Sequence, residues 1–263
     1  MNRIDKKFKE LRGNGNKAMI PFITAGDPCL EETLNLVMAL EKAGADIIEL
    51  GIPYSDPIAD GPVIQGSSAR ALNNGTKIKE IMETAKKIRE QSNVPLVYLV
   101  YYNSIFKYGM EKFIEECSNV GIDGLIIPDL PIEERNEMGG ITEKHGVYLI
   151  PLVAPTSKDR IEKIVKEGKG FVYCVAVKGV TGVRGEIETN IEEYMGLVNT
   201  YTDLPKAIGF GISSKEMARE FAKYCDGVIV GSALVTRIAE GESLEQREKI
   251  ASEFIRDIKE GIQ

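Results

Sequence analysis

The chain has 263 residues, 43% hydrophobic and 28% charged, enough to bury a sizeable core in one large domain. Its 33 basic and 40 acidic residues leave a net charge of −7, which argues against nucleic acid or an anionic membrane as partner, since both are held by basic surface. Apolar runs stop far short of the roughly 20 residues a membrane helix needs. The opening text MNRIDKKFKELRGNGNK lacks the apolar core of a secretory signal. Cys29, Cys117, Cys174 and Cys225 lie far apart with no C-x-x-C pair, so the expectation is a cytoplasmic protein without disulfides or structural zinc. The one histidine, His145, ends a helical segment before Gly146, which removes Ser-His-Asp chemistry and histidine metal clusters from consideration. Proton transfer then falls to carboxylates, tyrosines or lysines.

In chain order, an amphipathic helix over Ile4–Arg12 comes first. Short apolar strands follow at Met19–Thr24, Ile47–Leu50, Leu96–Val100, Leu125–Pro128, Tyr148–Leu152, Phe171–Val175, Ala207–Gly209 and Val228–Val230. Between them, apolar residues recur at helical spacing over Leu30–Ala43, Lys77–Gln91, Met110–Val120, Glu133–Lys144, Lys158–Glu167, Ile191–Thr200 and Ser214–Tyr224, and a charged amphipathic helix, Leu244–Ile262, closes the chain. Strands this apolar, each followed by a helix, are parallel and covered on both faces. Eight such units in about 250 residues predict an α/β fold, a (β/α)8 TIM barrel with an extra N-terminal helix, as a single domain over 1–263. An open doubly wound sheet is the rival, weakened by the missing dinucleotide fingerprint.

A barrel confines chemistry to the strand C-termini and the loops after them. The richest is Ile47–Pro62, IIELGIPYSDPIADGP. Glu49 ends an apolar strand, where a carboxyl is costly unless paired, hydrogen-bonded or kept protonated. A carboxyl poised between its protonation states suits acid–base catalysis. Asp60, eleven residues later, pairs with it as a candidate catalyst; it also fits an N-cap before Gly61-Pro62, and the two roles are compatible. Asp56 and Pro57, in Ser-Asp-Pro, read as a turn or a partner contact.

Anion binding is expected after the last two strands. Gly209–Ser213 and Val230–Val235 place Gly211, Gly231 and Ser232 where backbone amides and a helix N-terminus can hold a phosphate, and Gly182 in the sixth strand's loop adds a third contributor. The plainer reading makes these turn glycines. Phe22, Tyr101, Tyr173 and Phe210 sit at or beside strand C-termini, either as barrel filling or as the lining for a flat aromatic substrate.

These residues resemble one family. IELGIPYSDPIADGPVIQ (Ile48–Gln65) is similar to the signature of tryptophan synthase α subunits. PFITAGDP (Pro21–Pro28), KGVTG (Lys178–Gly182), GFGISS (Gly209–Ser214) and VIVGSALV (Val228–Val235) match that family's other landmarks in order, over essentially the whole chain. The resemblance implies a barrel lyase that cleaves indole-3-glycerol phosphate to indole and glyceraldehyde 3-phosphate without metal or cofactor. Its partner would be a β subunit carrying pyridoxal phosphate, in an α2β2 assembly. Carried over, the catalytic carboxylates fall on Glu49 and Asp60, and the aromatic lining on Phe22, Tyr101, Tyr173 and Phe210. The phosphate ligands fall on Gly182, Gly211, Gly231 and Ser232, the loop-closing threonine on Thr181, and a partner of the strand-two loop on Asp129. Tyr101 is chosen over Tyr102 because Asn103 fixes the register. The strand-six loop, carrying Arg184, is shorter than in some members, and its Lys178–Gly185 segment is expected to act as a lid. Two readings stay open beside a two-protein synthase: a free-standing lyase and a non-catalytic activator of the partner. A phosphosugar isomerase is disfavoured by the missing catalytic histidine.

Overall fold

The computed structural model describes residues 1–175, 190–209 and 211–263. Its strands are β1 (Ala18–Thr24), β2 (Ile48–Gly51), β3 (Leu96–Leu99), β4 (Gly124–Ile126), β5 (Tyr148–Leu149), β6 (Leu152–Val153), β7 (Val172–Val175), β8 (Lys206–Gly209) and β9 (Gly227–Val230). All pair in parallel, in the order β5-β4-β3-β2-β1-β9-β8-β7-β6. The two ends of that order, β5 and β6, are pieces of one predicted strand split at Ile150-Pro151. Ile150 N–H still donates to Leu125 O at 2.9 Å, while Pro151 O accepts from Tyr173 N–H at 2.8 Å. The fifth strand thus pairs on one side early and on the other late, and the sheet closes into a (β/α)8 barrel.

Period two sorts the strand residues. Ile20, Ile47, Val97, Ile126, Ile150, Phe171, Ala207 and Ile229 form the inner core, and Ile4, Phe8 and Leu11 from helix α1 (Arg3–Gly13) plug its N-terminal end. The alternate residues, among them Met19, Ile48, Tyr98, Leu125, Cys174 and Val228, pack outward against the helices. Those helices include α2 (Leu30–Lys42), α3 (Pro62–Asn73), α4 (Ile78–Arg89), α5 (Tyr102–Tyr108) and α6 (Met110–Asn119). They continue through α7 (Arg135–His145), α8 (Ile161–Lys166), α9 (Ile191–Tyr201), α10 (Lys215–Ala222), α11 (Ser232–Ala239) and α12 (Leu244–Ile262). Side-chain oxygens of Asn190, Ser214 and Ser243 cap α9, α10 and α12, so these starts are set locally.

Helix α5 was absent from the sequence reading. Its seven residues are too few to hold a helix by propensity. A distant group starts it: Asp129 Oδ1 accepts from the Tyr102 N–H at 2.8 Å. The text before the strands also proves less plain than it reads. Asp46, Asp123 and Asp226 each accept a backbone N–H from a neighbouring strand, those of Met19, Leu96 and Lys206, at 2.7, 2.9 and 2.9 Å. Asp46 is paired with Lys259, and Asp123 with Arg3 and Arg89. Three equivalent carboxylates thereby staple the end of the barrel opposite its mouth.

Candidate active site

Because inward residues alternate along each strand, β2 turns Ile47, Glu49 and Gly51 towards the barrel axis, and Glu49 is the acid in that row. It pairs in register with Phe22 of β1 and Val97 of β3. Glu49 is 1% exposed, and neither carboxyl oxygen has a hydrogen-bond partner among the described residues. Burial, reinforced by the nearby charge of Asp60, pushes its pKa up to about 8. An unpartnered carboxyl in this setting holds its proton at neutral pH.

Asp60 lies half-buried in the loop after β2. Burial raises its pKa, and a hydrogen bond from the Tyr101 side chain pulls it back down. It does not cap α3: the N-cap is Gly61, with no side-chain cap bond, and Pro62 at the first helical position needs no partner for an N–H. The N-cap reading of Asp60 is therefore corrected, and its carboxylate is left for the barrel mouth. Tyr101 is 2% exposed; its hydroxyl accepts the Ala59 N–H at 3.0 Å and stands beside Asp60. Tyr102, by contrast, starts α5, where it packs partly buried against the outer core.

Two aromatic rings lie on glycines. A methyl group at Gly51 would stand 2.5 Å from Phe22 Cζ, and one at Gly209 would stand 2.7 Å from the Tyr173 hydroxyl. Glycine at both positions gives the rings room to lie flat along the mouth. Tyr173 is partly buried, and its pKa is raised well above the ordinary value by burial and by the charges of Glu49 and Asp60. Phe22 also approaches Gly231, whose Cβ position is 3.6 Å from the Phe22 Cβ. Gly231 is the N-cap of α11, with no side-chain cap bond, and Ser232, exposed, is its first residue, so the leading amides of this helix lie just after the C-terminal end of β9. Gly211 has φ +66°, a conformation that favours glycine.

The other expected residues divide. Asp129 uses one carboxylate oxygen to start α5. Asp56 is exposed, Pro57 is half-buried and Ile58 is 83% exposed, at the outer tip of the β2 loop. Thr181, Gly182 and Phe210, with Arg184 and the expected lid Lys178–Gly185, lie outside the described residues. Sequence reasoning gave no role to Gly51 or Tyr54 and used Asn103 only to fix the register of Tyr101. Tyr54 stacks on Tyr101 (ring centroids 5.0 Å apart, planes 21° apart), and Asn103 Nδ2 donates to the Tyr54 hydroxyl at 3.0 Å. Nothing in the text Ile-Pro-Tyr-Ser marks that ring as part of a site. The four cysteines are free thiols, Cys29 exposed and the others buried. Among the described residues no cluster of three metal-ligating side chains occurs, and no helix is long and apolar enough to cross a membrane.

A closed parallel barrel that carries two unlike carboxyls, aromatic side chains and a helix N-terminus at the C-terminal ends of its strands is the framework of a barrel enzyme. The family model for the tryptophan synthase alpha chain matches residues 8–263. The tryptophan synthase alpha chain of Thermoanaerobacter sp. (strain X514) is 63% identical over 260 residues, covering 99% of each chain; that of Clostridium kluyveri is 61% identical over 265 residues, covering both entirely. Among solved structures, tryptophan synthase subunit alpha from Legionella pneumophila superposes with a TM-score of 0.89 at 34% identity over 100% of this chain and 98% of that one. A chain of tryptophan synthase from M. tuberculosis gives 0.89 at 31% identity over the whole of both. The chain belongs to the tryptophan synthase alpha chain family, lyases that cleave indole-3-glycerol phosphate in tryptophan synthesis.

Proposed function

We propose that Glu49 and Asp60 divide the cleavage of indole-3-glycerol phosphate in this chain, Glu49 moving the proton and Asp60 steadying the ring nitrogen. Indole leaves only if its ring carbon is first protonated, which places positive charge on the ring N–H. Glu49 begins neutral and gives its proton to that carbon. As carboxylate it then takes the proton of the side-chain hydroxyl while the carbon–carbon bond breaks, the hydroxyl carbon becomes the aldehyde of glyceraldehyde 3-phosphate, and indole regains its aromatic ring. The proton borrowed is returned, so the residue is ready again. Asp60 accepts a hydrogen bond from the ring N–H and is worth most when that nitrogen is positive.

The observation that carries this reading is the sealed, unpartnered carboxyl of Glu49, with a pKa pushed up to about 8, beside a second carboxyl in a wetter and hydrogen-bonded setting. Phe22 and Tyr173, with Tyr101 and Phe210, sandwich the indole. Gly211, Gly231 and Ser232, with Gly182, hold the phosphate, and Thr181 closes its loop over the site. Asp129 acts on substrate indirectly, by fixing the start of α5.

The chain works as one domain in the cytoplasm, beside a tryptophan synthase β subunit in an α2β2 heterotetramer. Pyridoxal phosphate belongs to that partner and no cofactor to this chain. Asp56 and Pro57 contact it; their support is the exposed loop tip, where Ile58 is 83% exposed. The test is indole release from indole-3-glycerol phosphate, with and without the β subunit, for the parent and Glu49→Gln. Near-full release by Glu49→Gln, with substrate still bound, would remove Glu49 from the mechanism. An unchanged rate on adding the β subunit would remove the partner from it.

A further inference from the structure

Tyr54 lies outside the barrel mouth, yet its contacts lead to Asp60. The ring stacks on Tyr101, whose hydroxyl accepts the N–H of Ala59, the residue before Asp60, at 3.0 Å. The Tyr54 hydroxyl accepts from Asn103 Nδ2, in the first turn of α5, and that turn is itself started by Asp129. The contacts form a chain: Asp129 starts α5, α5 carries Asn103, Asn103 holds Tyr54, and Tyr54 stacks on the ring whose hydroxyl holds the loop at Ala59, next to Asp60.

The opposite side of Tyr54 is open. It lines a cavity of about 340 Å³ with Pro53, Leu72, Ile78, Asn103 and Tyr108. Beside that cavity, the stack on Tyr101 and the hydrogen bond from Asn103 hold the half-buried ring. Loop residues 55–59 have few other anchors: Ser55, Asp56, Ile58 and Ala59 are exposed. Asp60 is thus held at its carbonyl by Gln65 Nε2 (2.7 Å) and through Ala59 by the Tyr101 hydroxyl, and the Tyr54 stack bears on the second of these anchors.

We propose that Tyr54, held by Asn103, is a positioning residue for the lyase reaction, fixing Asp60 through Tyr101 without touching substrate. This rests on the reading of Asp60 as the partner of the ring nitrogen. A carboxylate misplaced by about 1 Å loses far more transition-state stabilisation than ground-state binding, so kcat carries the effect and KM does not.

The experiment measures kcat and KM for indole release by the α chain with its β subunit, in Tyr54→Leu, Tyr54→Phe and Asn103→Ala, each alone and combined with Tyr101→Phe. Asp60→Asn is run alongside, and thermal melting checks that each variant is folded. Tyr54→Leu is expected to lower kcat about tenfold with KM within about twofold, and Tyr54→Phe, which keeps the stack, to recover most of the loss. With the Tyr101 hydroxyl removed, the Tyr54 changes should add less than about twofold, because the link to Asp60 is already cut. Asn103→Ala and Tyr54→Phe each remove the Asn103–Tyr54 hydrogen bond and keep both rings, so each is expected to lower kcat about two- to threefold at unchanged KM, and this pair carries the test should Tyr54→Leu fail to fold. An unchanged kcat, an equal loss in both backgrounds, or a loss confined to KM overturns the proposal alone. Full activity in Asp60→Asn overturns the reading of Asp60, and the proposal with it.

Discussion

The charge of Asp60 adds to burial in holding the proton on Glu49, the better sealed of the two carboxyls at the barrel mouth. Glu49 is sealed and unpartnered, whereas Asp60 is half-buried and hydrogen-bonded by Tyr101. In the proposed mechanism that asymmetry has one carboxyl deliver a proton while the other meets positive charge.

Replacing Glu49 by Gln keeps the shape and removes the transferable proton. The expected result is a loss of roughly 10²–10⁴ in kcat for indole release with little change in KM, the range for a positioned general acid–base. Steady-state kinetics on indole-3-glycerol phosphate check it.

The pH profile of kcat/KM should fall on its alkaline side near pH 8, where Glu49 loses its proton. Its acid limb should lie above the ordinary aspartate range, because burial raises the Asp60 pKa. In Glu49→Gln the alkaline limb should disappear from whatever rate remains. An alkaline limb that persists unchanged would assign it to another group.

Stability carries the same signature. Folded Glu49 keeps its proton up to about pH 8, while the unfolded chain releases it near 4.5. The contribution is therefore complete below pH 4.5 and is lost as pH rises towards 8. Between pH 4.5 and 7 the loss is on the order of 3 kcal/mol, taking 1.36 kcal/mol per pH interval. Glu49→Gln does not titrate, so its melting temperature relative to the parent should climb from pH 5 to pH 8.

A Cβ at Gly51 would collide with the Phe22 ring. Gly51→Ala should push that ring across the mouth, raising KM several-fold, and should cost about 1–3 kcal/mol as overpacking. Substrate titration with denaturant unfolding separates the two effects.

The opposite end of the barrel gives a control. Asp123 is 3% exposed and accepts from Leu96 N–H, Arg3 and Arg89. Asp123→Ala leaves Arg89 half-buried without its carboxylate, with an expected loss of about 3–5 kcal/mol. The rate per folded molecule should stay at the parent value, which urea unfolding and active-site-normalised kinetics would establish together.

Much of this molecule was legible in its residues. Helix α12 begins and ends where the periodicity places it, and each predicted strand is found within a residue or two, the fifth in two pieces. Glu49 could be placed at a buried strand end because period two and an apolar run are local properties of the text. The motif resemblance named the family before any contact was known.

What the text could not hold are contacts made by ring closure. Asn103 and Tyr54 are 49 residues apart, and Asp129 and Tyr102 are 27 apart. Their hydrogen bonds exist only because parallel strands bring successive loops to one rim. The same closure splits the fifth strand at Pro151, starts a seven-residue helix from a distant carboxylate and turns Asp46, Asp123 and Asp226 into staples. It also withdraws Asp60 from capping and sets it near Tyr101 and Glu49. Sequence by itself determined the alternation of elements, the inward face of each strand and the identity of the buried acid. The tertiary structure alone decided which side chains surround that acid, because the field and the hydrogen bonds at the mouth come from loops that meet only when the barrel closes.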